Sequence, residues 1–394
     1  MELKKADTLL LDCLKSEGTP YPIDTLEGLT ASDWTAVLLQ SSRHGISPLL
    51  YQYLKAPHLK KLVPADILYR LRETYLQNAA RNIRMYHRLS KVLRALKDAN
   101  IPVIVLKGAC LAEIIYGKIG MRTMEDVDLL LRKEDLSRCQ KLLLKMGYGP
   151  QNRNPTFDIH WDLDSPRNIN IDEVWERAQP VRIAGVEALA LSPEDMLLHL
   201  CLHLAFHHLF QLGGLRTLCD IREMLRCYNS RLEWEKILSL ASWCGGGRSV
   251  HLTLSLAGDL LNVEVAPAAM EALKRYSVDL RAKSWAIEQI FYGNRDILSL
   301  SPYFWQLWGA KTAGKKLNLL MKLIFTSRKF LSQNYPAPCQ SAKSYLYYIV
   351  RIMDHFPRYC RAAWRMLKGN EKMMVMAEQQ KEKITMAEWL SSPY

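Results

Sequence analysis

Residues 103–131, VIVLKGACLAEIIYGKIGMRTMEDVDLLL, decide the fold of this chain. The segment opens with a short β-branched run at 103–106, which is typical of a buried strand. Lys107 and Gly108 end that run, and a helical pattern follows over 109–116. A second extended run then spans 126–131. This order of strand, helix and strand predicts a small mixed α/β unit.

The sequence on both sides extends this unit and then becomes helical. A helix is predicted over 133–146, closed by Gly147, and a third strand over 156–163. These elements define a predicted α/β core at 99–187, with helical regions at 1–98 and 188–394. Ser192 and Pro193 have the pattern of a helix start. The fold class predicted is α+β, a small mixed α/β core flanked by N-terminal and C-terminal helical regions.

The second predicted strand carries an acidic pair. Asp126 and Asp128 are two residues apart, so their carboxylates project from the same face of a strand. Two like charges held so close repel each other, and a site that keeps them needs a cation. Hard carboxylate oxygens suit Mg²⁺ or Mn²⁺, ions that also bridge the phosphates of a nucleotide. By itself such a pair is a weak signal, because it also occurs on solvated strand edges.

A third carboxylate on the neighbouring strand would complete a two-metal site. Asp158 is preferred because it lies centrally in the apolar stretch of the third strand, and Asp162 is the reserve. Beside the pair, Gly108 would let the backbone approach a triphosphate closely, and Lys107 would add a positive charge. Arg122 is interpreted either as a phosphate clamp or as the partner of Glu125.

Histidines supply further candidates. Asp195, His199, His203 and His207 recur every four residues and would form one stripe along a helix. The pattern lacks the Glu of a zinc-protease motif, so we interpret it as a polar stripe against the α/β core or as part of an acceptor pocket containing His203. His160 would stack on a base in that pocket or pack beneath the sheet.

Composition sets wider limits. The chain has 394 residues and a net charge of +13, and no long uncharged apolar run predicts a membrane span. Nine cysteines without a CxxC pair, and a start unlike a secretory signal, favour the cytoplasm. The segment 301–394 holds 15 Lys and Arg against 5 Asp and Glu. It would either attract nucleic acid or form solvated helix faces.

Taken together, these motifs resemble the core of the DNA polymerase β-type nucleotidyltransferases, and more closely a bacterial branch of uncharacterised nucleotidyltransferases. The resemblance covers roughly residues 30–260. It implies the fold, a dependence on Mg²⁺ (or Mn²⁺), and transfer of NMP from an NTP with release of pyrophosphate. The matching positions are Leu106-Lys107-Gly108, Tyr116, Arg122, Asp126, Asp128, Gly147-Tyr148, Asp158 to Trp161, Val174 to Ala178, Leu191 to Asp195, His203, Arg216 and Asp220.

One position departs from the wider superfamily, in which Gly-Ser or Gly-Gly is usual where this chain has Gly108-Ala109. Three hypotheses follow. The chain is an enzyme that uses Asp126, Asp128 and Asp158 to bind metal, and Lys107, Gly108, Ala109 and Arg122 to bind the NTP. Alternatively it is a catalytically silent protein that binds a nucleotide or a biosynthetic partner, or it modifies nucleic-acid ends. The acceptor, a small molecule, a peptide or a protein, is not specified by the sequence.

Overall fold

The structure is a computed structural model with two compact units. One comprises residues 1–293 and 390–394, and the other 294–389. The three-part division predicted from the sequence stays a prediction. The residues described are 3–15, 26, 28–148, 157–163, 165–167, 169–211, 213–293, scattered positions between 312 and 370, and 371–392.

The chain begins with helices that pack around a common apolar core. Thr30 caps the second of them: its side chain accepts from the Asp33 backbone N–H, and the Asp33 carboxylate accepts from the Thr30 N–H. Trp34, Leu50 and Leu71, from three of these helices, are fully buried. The helices are α1 (Lys5–Lys15), α2 (Ala31–Arg43), α3 (Ser47–Leu54), the single turn α4 (Pro57–Lys60) and the long α5 (Ala65–Asp98).

A five-stranded mixed sheet follows, in the order β3-β2-β1-β5-β4. The outer pairs differ in direction: β2 and β3 are parallel, whereas β4 and β5 are antiparallel. In the middle, β1 runs antiparallel to β2 and parallel to β5. The strands are β1 (Ile104–Val105), β2 (Val127–Leu130), β3 (Phe157–His160), β4 (Gln179–Ile183) and β5 (Val186–Ala190).

Two helices connect the first three strands. Helix α6 (Lys107–Ile114) follows β1 directly, and α7 (Leu136–Lys145) follows β2 after a 3-10 turn at Lys133–Asp135. Gly147 has φ +82 just beyond α7, which confirms the helix ending predicted from the sequence. The three predicted strands and both helices are present, and the predicted α+β fold class is confirmed.

The β4–β5 hairpin was not predicted from the sequence. Ala184 and Gly185 form its two-residue turn, with φ +52 and +73 respectively, and Ile183 pairs with Val186 across it. Two consecutive residues with positive φ are typical of a type I′ turn, which usually has Asn-Gly or Asp-Gly. Here the Ala184 N–H donates to the Glu113 carboxylate at 2.9 Å, a contact from α6 that the local sequence does not reveal.

The long helix α5 holds the loop that leads into β2. Its Asn78 side chain donates to the carbonyls of Gly120 (2.9 Å) and Arg122 (3.2 Å). One turn later, Asn82 donates to the same Arg122 carbonyl at 2.8 Å. Both amides are buried, so these bonds are shielded from competing water. This loop therefore places Asp126 and β2 relative to α5.

The other described helices lie between β3 and β4 or follow β5 along the chain, and the last of them falls almost entirely in the unit 294–389. Ser192 caps α9 by accepting from the Asp195 N–H, with Pro193 at the first helical position, as predicted. No helix among the described residues is sufficiently long and apolar to cross a membrane. These helices are α8 (Ile171–Arg177), α9 (Pro193–Leu202), α10 (Gly214–Tyr228), α11 (Trp234–Trp243), α12 (Gly247–Leu261), α13 (Pro267–Leu273), α14 (Leu280–Tyr292) and α15 (Glu371–Ser391).

The basic segment 301–394 falls largely outside the described residues. Its proposed attraction for nucleic acid therefore stays a prediction.

Candidate functional site

Two of the three candidate carboxylates are neighbours on adjacent strands. Asp128 on β2 and Asp158 on β3 are register partners in the parallel pairing, so their side chains leave the same face of the sheet. They differ in exposure: the Asp128 side chain is 6% exposed and that of Asp158 60%. Asp126 is exposed and lies one residue before β2. The pairing thus brings a buried and an accessible carboxylate together.

His160 occupies the position between these two carboxylates. Its Nε2 lies 3.0 Å from Asp128 Oδ1 and 3.4 Å from Asp158 Oδ2. Burial opposes the charged form of the ring, but the hydrogen bonds to the two carboxylates outweigh it and raise the pKa of His160 to about 9. At neutral pH the ring is therefore an imidazolium that offsets part of the negative charge of Asp128 and Asp158.

Lys107 is a second cation at the same carboxylate. Its Nζ lies 3.3 Å from Asp128 Oδ1 and 2.9 Å from His203 Nε2. Since an ammonium can only donate, the Nε2 of His203 accepts this bond. Lys107 is the first residue of α6, so the turn after β1 places its charge against β2 and links the carboxylates to the residues that follow α9.

The three carboxylates respond differently to this environment. Burial works against ionisation of Asp128, but the bonds from His160 and Lys107 lower its pKa well below the usual range. The His160 hydrogen bond also lowers the pKa of Asp158. Although Asp126 is exposed as a whole residue, its carboxylate is partly desolvated by its surroundings; this desolvation and then the negative charge of Asp128 raise its pKa. The three carboxylates thus differ in pKa. An added cation would stabilise the charged form of Asp126 most, because its pKa alone is raised.

Three side chains here are spaced as metal ligands. One oxygen each of Asp128 and Asp158 and one ring nitrogen of His160 lie within 4.8 Å of one another. Both carboxylates were predicted as ligands from the sequence, whereas His160 was expected to stack on a base or to pack beneath the sheet. The i+2 spacing from Asp158 to His160, which puts both on one face of β3, was the signal that could have identified it. The ligand role of Asp126 stays a prediction.

The glycine after β1 lies in the first turn of α6 and is buried along with Ala109. A Cβ at Gly108 would meet Nη1 of Arg122 at 3.1 Å and Sδ of Met124 at 3.5 Å. Tyr86 on α5 donates to the Ala109 carbonyl at 2.5 Å. Gly108 therefore allows close packing of α6 on the loop before β2, and contact of Gly108 and Ala109 with a triphosphate stays a prediction.

Arg122 forms a buried ion pair with Asp220 of α10. Its Nε donates to Oδ1 at 2.8 Å and its Nη2 to Oδ2 at 2.7 Å, and Tyr116 donates to Oδ1 at 2.8 Å. The sequence alternative that paired Arg122 with Glu125 was therefore wrong, because the planar guanidinium fits the carboxylate of Asp220 in a bidentate manner. Contact of Arg122 with a phosphate stays a prediction.

The predicted histidine stripe is divided by a change of helix type. Helix α9 ends at Leu202, and a π-helical turn continues over His203–His207. Asp195, at the start of α9, accepts two bonds from Arg177, at 2.8 and 2.9 Å. His203, at the C-cap of α9, accepts from Lys107. The stripe thus contacts α8 through Asp195 and the acidic site through His203.

His208 extends this group beyond the predicted stripe. Its ring meets those of His203 and His207 edge to face, with centroid separations of 4.5 and 4.9 Å. Burial, followed by the positive fields of its neighbours, lowers the pKa of His208 to about 3. The imidazole of His208 is therefore neutral at physiological pH.

The pairing of His160 predicts how stability depends on pH in metal-free protein. The pKa of His160 rises on folding, from 6.5 to about 9, so its stabilising contribution is complete below pH 6.5 and disappears as the pH rises through 9. In EDTA, the free energy of unfolding of wild type should exceed that of His160→Gln by about 3 kcal/mol at pH 6 and by much less at pH 9.5. Urea unfolding at both pH values measures this; an equal difference would contradict the pairing.

Comparison with known proteins adds one match. Residues 30–262 match a protein-family model described as an uncharacterised nucleotidyltransferase. Neither the curated proteins nor the solved structures include a match to this chain. The matched range contains β1 to β5, the acidic residues, His160, Lys107 and the histidines after α9.

Proposed function

The chain belongs to the uncharacterised nucleotidyltransferase family, and from that premise we propose that it transfers an NMP from an NTP to an acceptor hydroxyl, with release of pyrophosphate. The acceptor oxygen forms a bond to the α-phosphorus as the bond to the bridging oxygen breaks, and the acceptor proton leaves to a base. The observation that carries the proposal is the juxtaposition of Asp128 and Asp158 in parallel register, with cationic side chains at both carboxylates.

The donor set fits a divalent cation of the hard type. Asp128 and Asp158, whose oxygens lie within 4.8 Å of each other, would hold it. We propose Asp126 as a further oxygen ligand, a set that suits Mg²⁺ or Mn²⁺. When bound, the ion supplies charge neutralisation at the phosphates and lowers the pKa of the acceptor hydroxyl. Desolvation and then the negative charge of Asp128 raise the pKa of Asp126, and that negative charge is a physical reason for a cation to bind here.

His160 and Lys107 keep the carboxylates in place before substrate binds. Their charges lower the energy of the buried Asp128 carboxylate, which would otherwise be costly so far from water. In this proposal the Lys107 ammonium at the start of α6 would bind the incoming triphosphate, and the 60% exposed side chain of Asp158 would face the acceptor. Orientation of the acceptor by His160 and His203 is part of this proposal.

Replacement of Lys107 tests its proposed role at the phosphates. A charge-assisted hydrogen bond contributes about 1.5–3 kcal/mol, so Lys107→Met should raise KM for the NTP about 10- to 100-fold. Lys118→Met, which removes an exposed lysine from the nearby loop, serves as the charge-matched control and should leave KM unchanged. Equal KM values for wild type and Lys107→Met would exclude Lys107 from NTP binding.

A silent, binding-only protein is separated from an enzyme by measuring binding and turnover together. Each of the four NTPs is titrated by calorimetry with Mg²⁺ or Mn²⁺. Transfer is followed with α-labelled NTP, whose label moves to the acceptor, and pyrophosphate release is measured separately in the presence of candidate hydroxyl acceptors. We expect metal-dependent binding of at least one NTP and label transfer. Binding without transfer to any acceptor, including water, would favour the silent alternative, and no binding at all would contradict both.

A further inference from the structure

Three imidazoles converge just beyond the end of α9. His203, His207 and His208 each offer a ring nitrogen, and these atoms all lie within 4.8 Å of one another. The rings of His203 and His207 are stacked, with centroids 4.7 Å apart and planes inclined by 12°. His208 faces both rings edge-on. Such a set is distinct from the carboxylate group at β2 and β3.

The backbone brings these residues together by a π-helical turn. His208 N–H donates to the His203 carbonyl at 3.1 Å, a bond that spans five residues. In a regular α-helix, residues five apart point about 140° away from each other. The wider π turn reduces that angle, so His203, His207 and His208 share a face. Turns of this kind are frequent at functional sites, and the four-residue sequence spacing did not reveal the third imidazole.

The two residues directly after the three histidines have an unfavourable backbone conformation. Leu209 and Phe210, directly after the cluster, both have positive φ values, +45 and +61. For branched or bulky residues this conformation costs on the order of 1–3 kcal/mol each. Phe210 is fully buried and lies edge to face with Trp285, centroids 6.0 Å apart, and its N–H donates to the Leu204 carbonyl. Core packing thus fixes the path that keeps His208 against the other two rings.

The lone pair of one imidazole already points at a cation. Lys107 Nζ donates to His203 Nε2 at 2.9 Å and has Asp128 Oδ1 within 3.3 Å as its other partner. A metal ion at the cluster could therefore replace the ammonium without leaving Lys107 isolated. Zinc-binding nitrogens lie about 3.4 Å apart in a tetrahedral site. The ring nitrogens here lie within 4.8 Å of one another, and the exposed His207 can bring its nitrogen to the shorter separation by rotating about its side-chain bonds.

From this geometry we propose that His203, His207 and His208 bind a borderline divalent metal ion of the Zn²⁺ type, with a coordination position left for water or an oxygen ligand. Three imidazoles suit such an ion, whereas Mg²⁺ prefers the carboxylate oxygens nearby. This site does not depend on the proposed transfer reaction. It lies next to Lys107, so an oxygen ligand on the metal would be adjacent to the candidate NTP site.

The test uses Co²⁺ as a visible probe for the nitrogen site. Full-length protein stripped with EDTA is titrated with Co²⁺ in millimolar Mg²⁺, which occupies oxygen sites without competing for imidazoles. We expect one equivalent of Co²⁺ to bind with a visible d–d absorption band, and Zn²⁺ to displace it. His207→Gln and His208→Gln should each weaken binding at least about tenfold, since even outer-shell changes cost 10- to 100-fold.

Two controls separate this site from the other candidates. His87→Gln, which removes an exposed histidine on α5, and Asp128→Asn, which removes the central carboxylate, should retain Co²⁺ affinity. The proposal is overturned if wild type binds no equivalent of Co²⁺, or if neither His207→Gln nor His208→Gln weakens binding. It is also overturned if Asp128→Asn alone abolishes the band. Should His208→Gln fail to fold, the exposed His207→Gln decides the outcome.

Discussion

Asp128→Asn should lower the rate of NTP-dependent pyrophosphate release by about 10²–10³-fold or more, with little change in fold. Asparagine keeps an oxygen that accepts from His160 and Lys107, so the contacts at 3.0 and 3.3 Å can persist. It lacks the negative charge that holds a divalent cation, and loss of one group that stabilises transition-state charge typically costs that factor. Pyrophosphate release at saturating NTP, with acceptor present, measures the effect.

The matched control is Asp259→Asn, which neutralises a half-exposed aspartate of α12 paired with Lys283 at 2.8 Å. It makes the same chemical change outside the sheet and should leave the rate unaltered. Asp158→Asn should resemble Asp128→Asn, because both carboxylates contribute to the same set of ligand atoms. Full activity in both sheet variants would remove the carboxylates from the mechanism.

Asp220→Ala should produce the largest loss of stability, about 3–5 kcal/mol in the free energy of unfolding. Asp220 is fully buried and accepts from Arg122 twice and from Tyr116 once. Its removal leaves the guanidinium of Arg122 buried without a counter-charge, which is more costly than the pair itself is stabilising. Urea unfolding of metal-free protein gives the difference directly.

An exposed ion pair provides the comparison for Asp220→Ala. Asp259→Ala breaks the half-exposed pair with Lys283 and should cost less than about 1 kcal/mol. The double variant Arg122→Met with Asp220→Leu removes both charges and should be more stable than Asp220→Ala alone. If Asp220→Ala costs no more than Asp259→Ala, the pair does not anchor α10 to the loop that leads into β2.

The core of the fold could be predicted because its signals are local. The β-branched run at β1, the acidic strand β2 and the glycine that ends α7 each express a preference of a few adjacent residues. The β4–β5 hairpin escaped prediction because Ala184 takes a positive φ that a distant residue, Glu113, helps to hold. The conformational preferences of neighbouring residues cannot predict that contact.

The site likewise contains some residues that could be predicted from the sequence and others that could not. Spacing along β2 and β3 suggested Asp126, Asp128 and Asp158, and strand pairing brings the last two together. The partner of Arg122 could not be predicted, because Asp220 is 98 residues away and only packing of α10 joins them. His208 was missed for a related reason: a π turn changes the angular spacing on which helical patterns rely.

The most direct test of the central claim is a crystal structure with Mn²⁺ and a non-hydrolysable NTP. Anomalous scattering locates Mn²⁺ independently of any assumption about its ligands. The proposed function predicts Mn²⁺ bound to Asp128 and Asp158, with triphosphate oxygens on the same ion and Lys107 turned towards them. Nucleotide bound elsewhere, or Mn²⁺ absent from both carboxylates at saturating NTP, would contradict it.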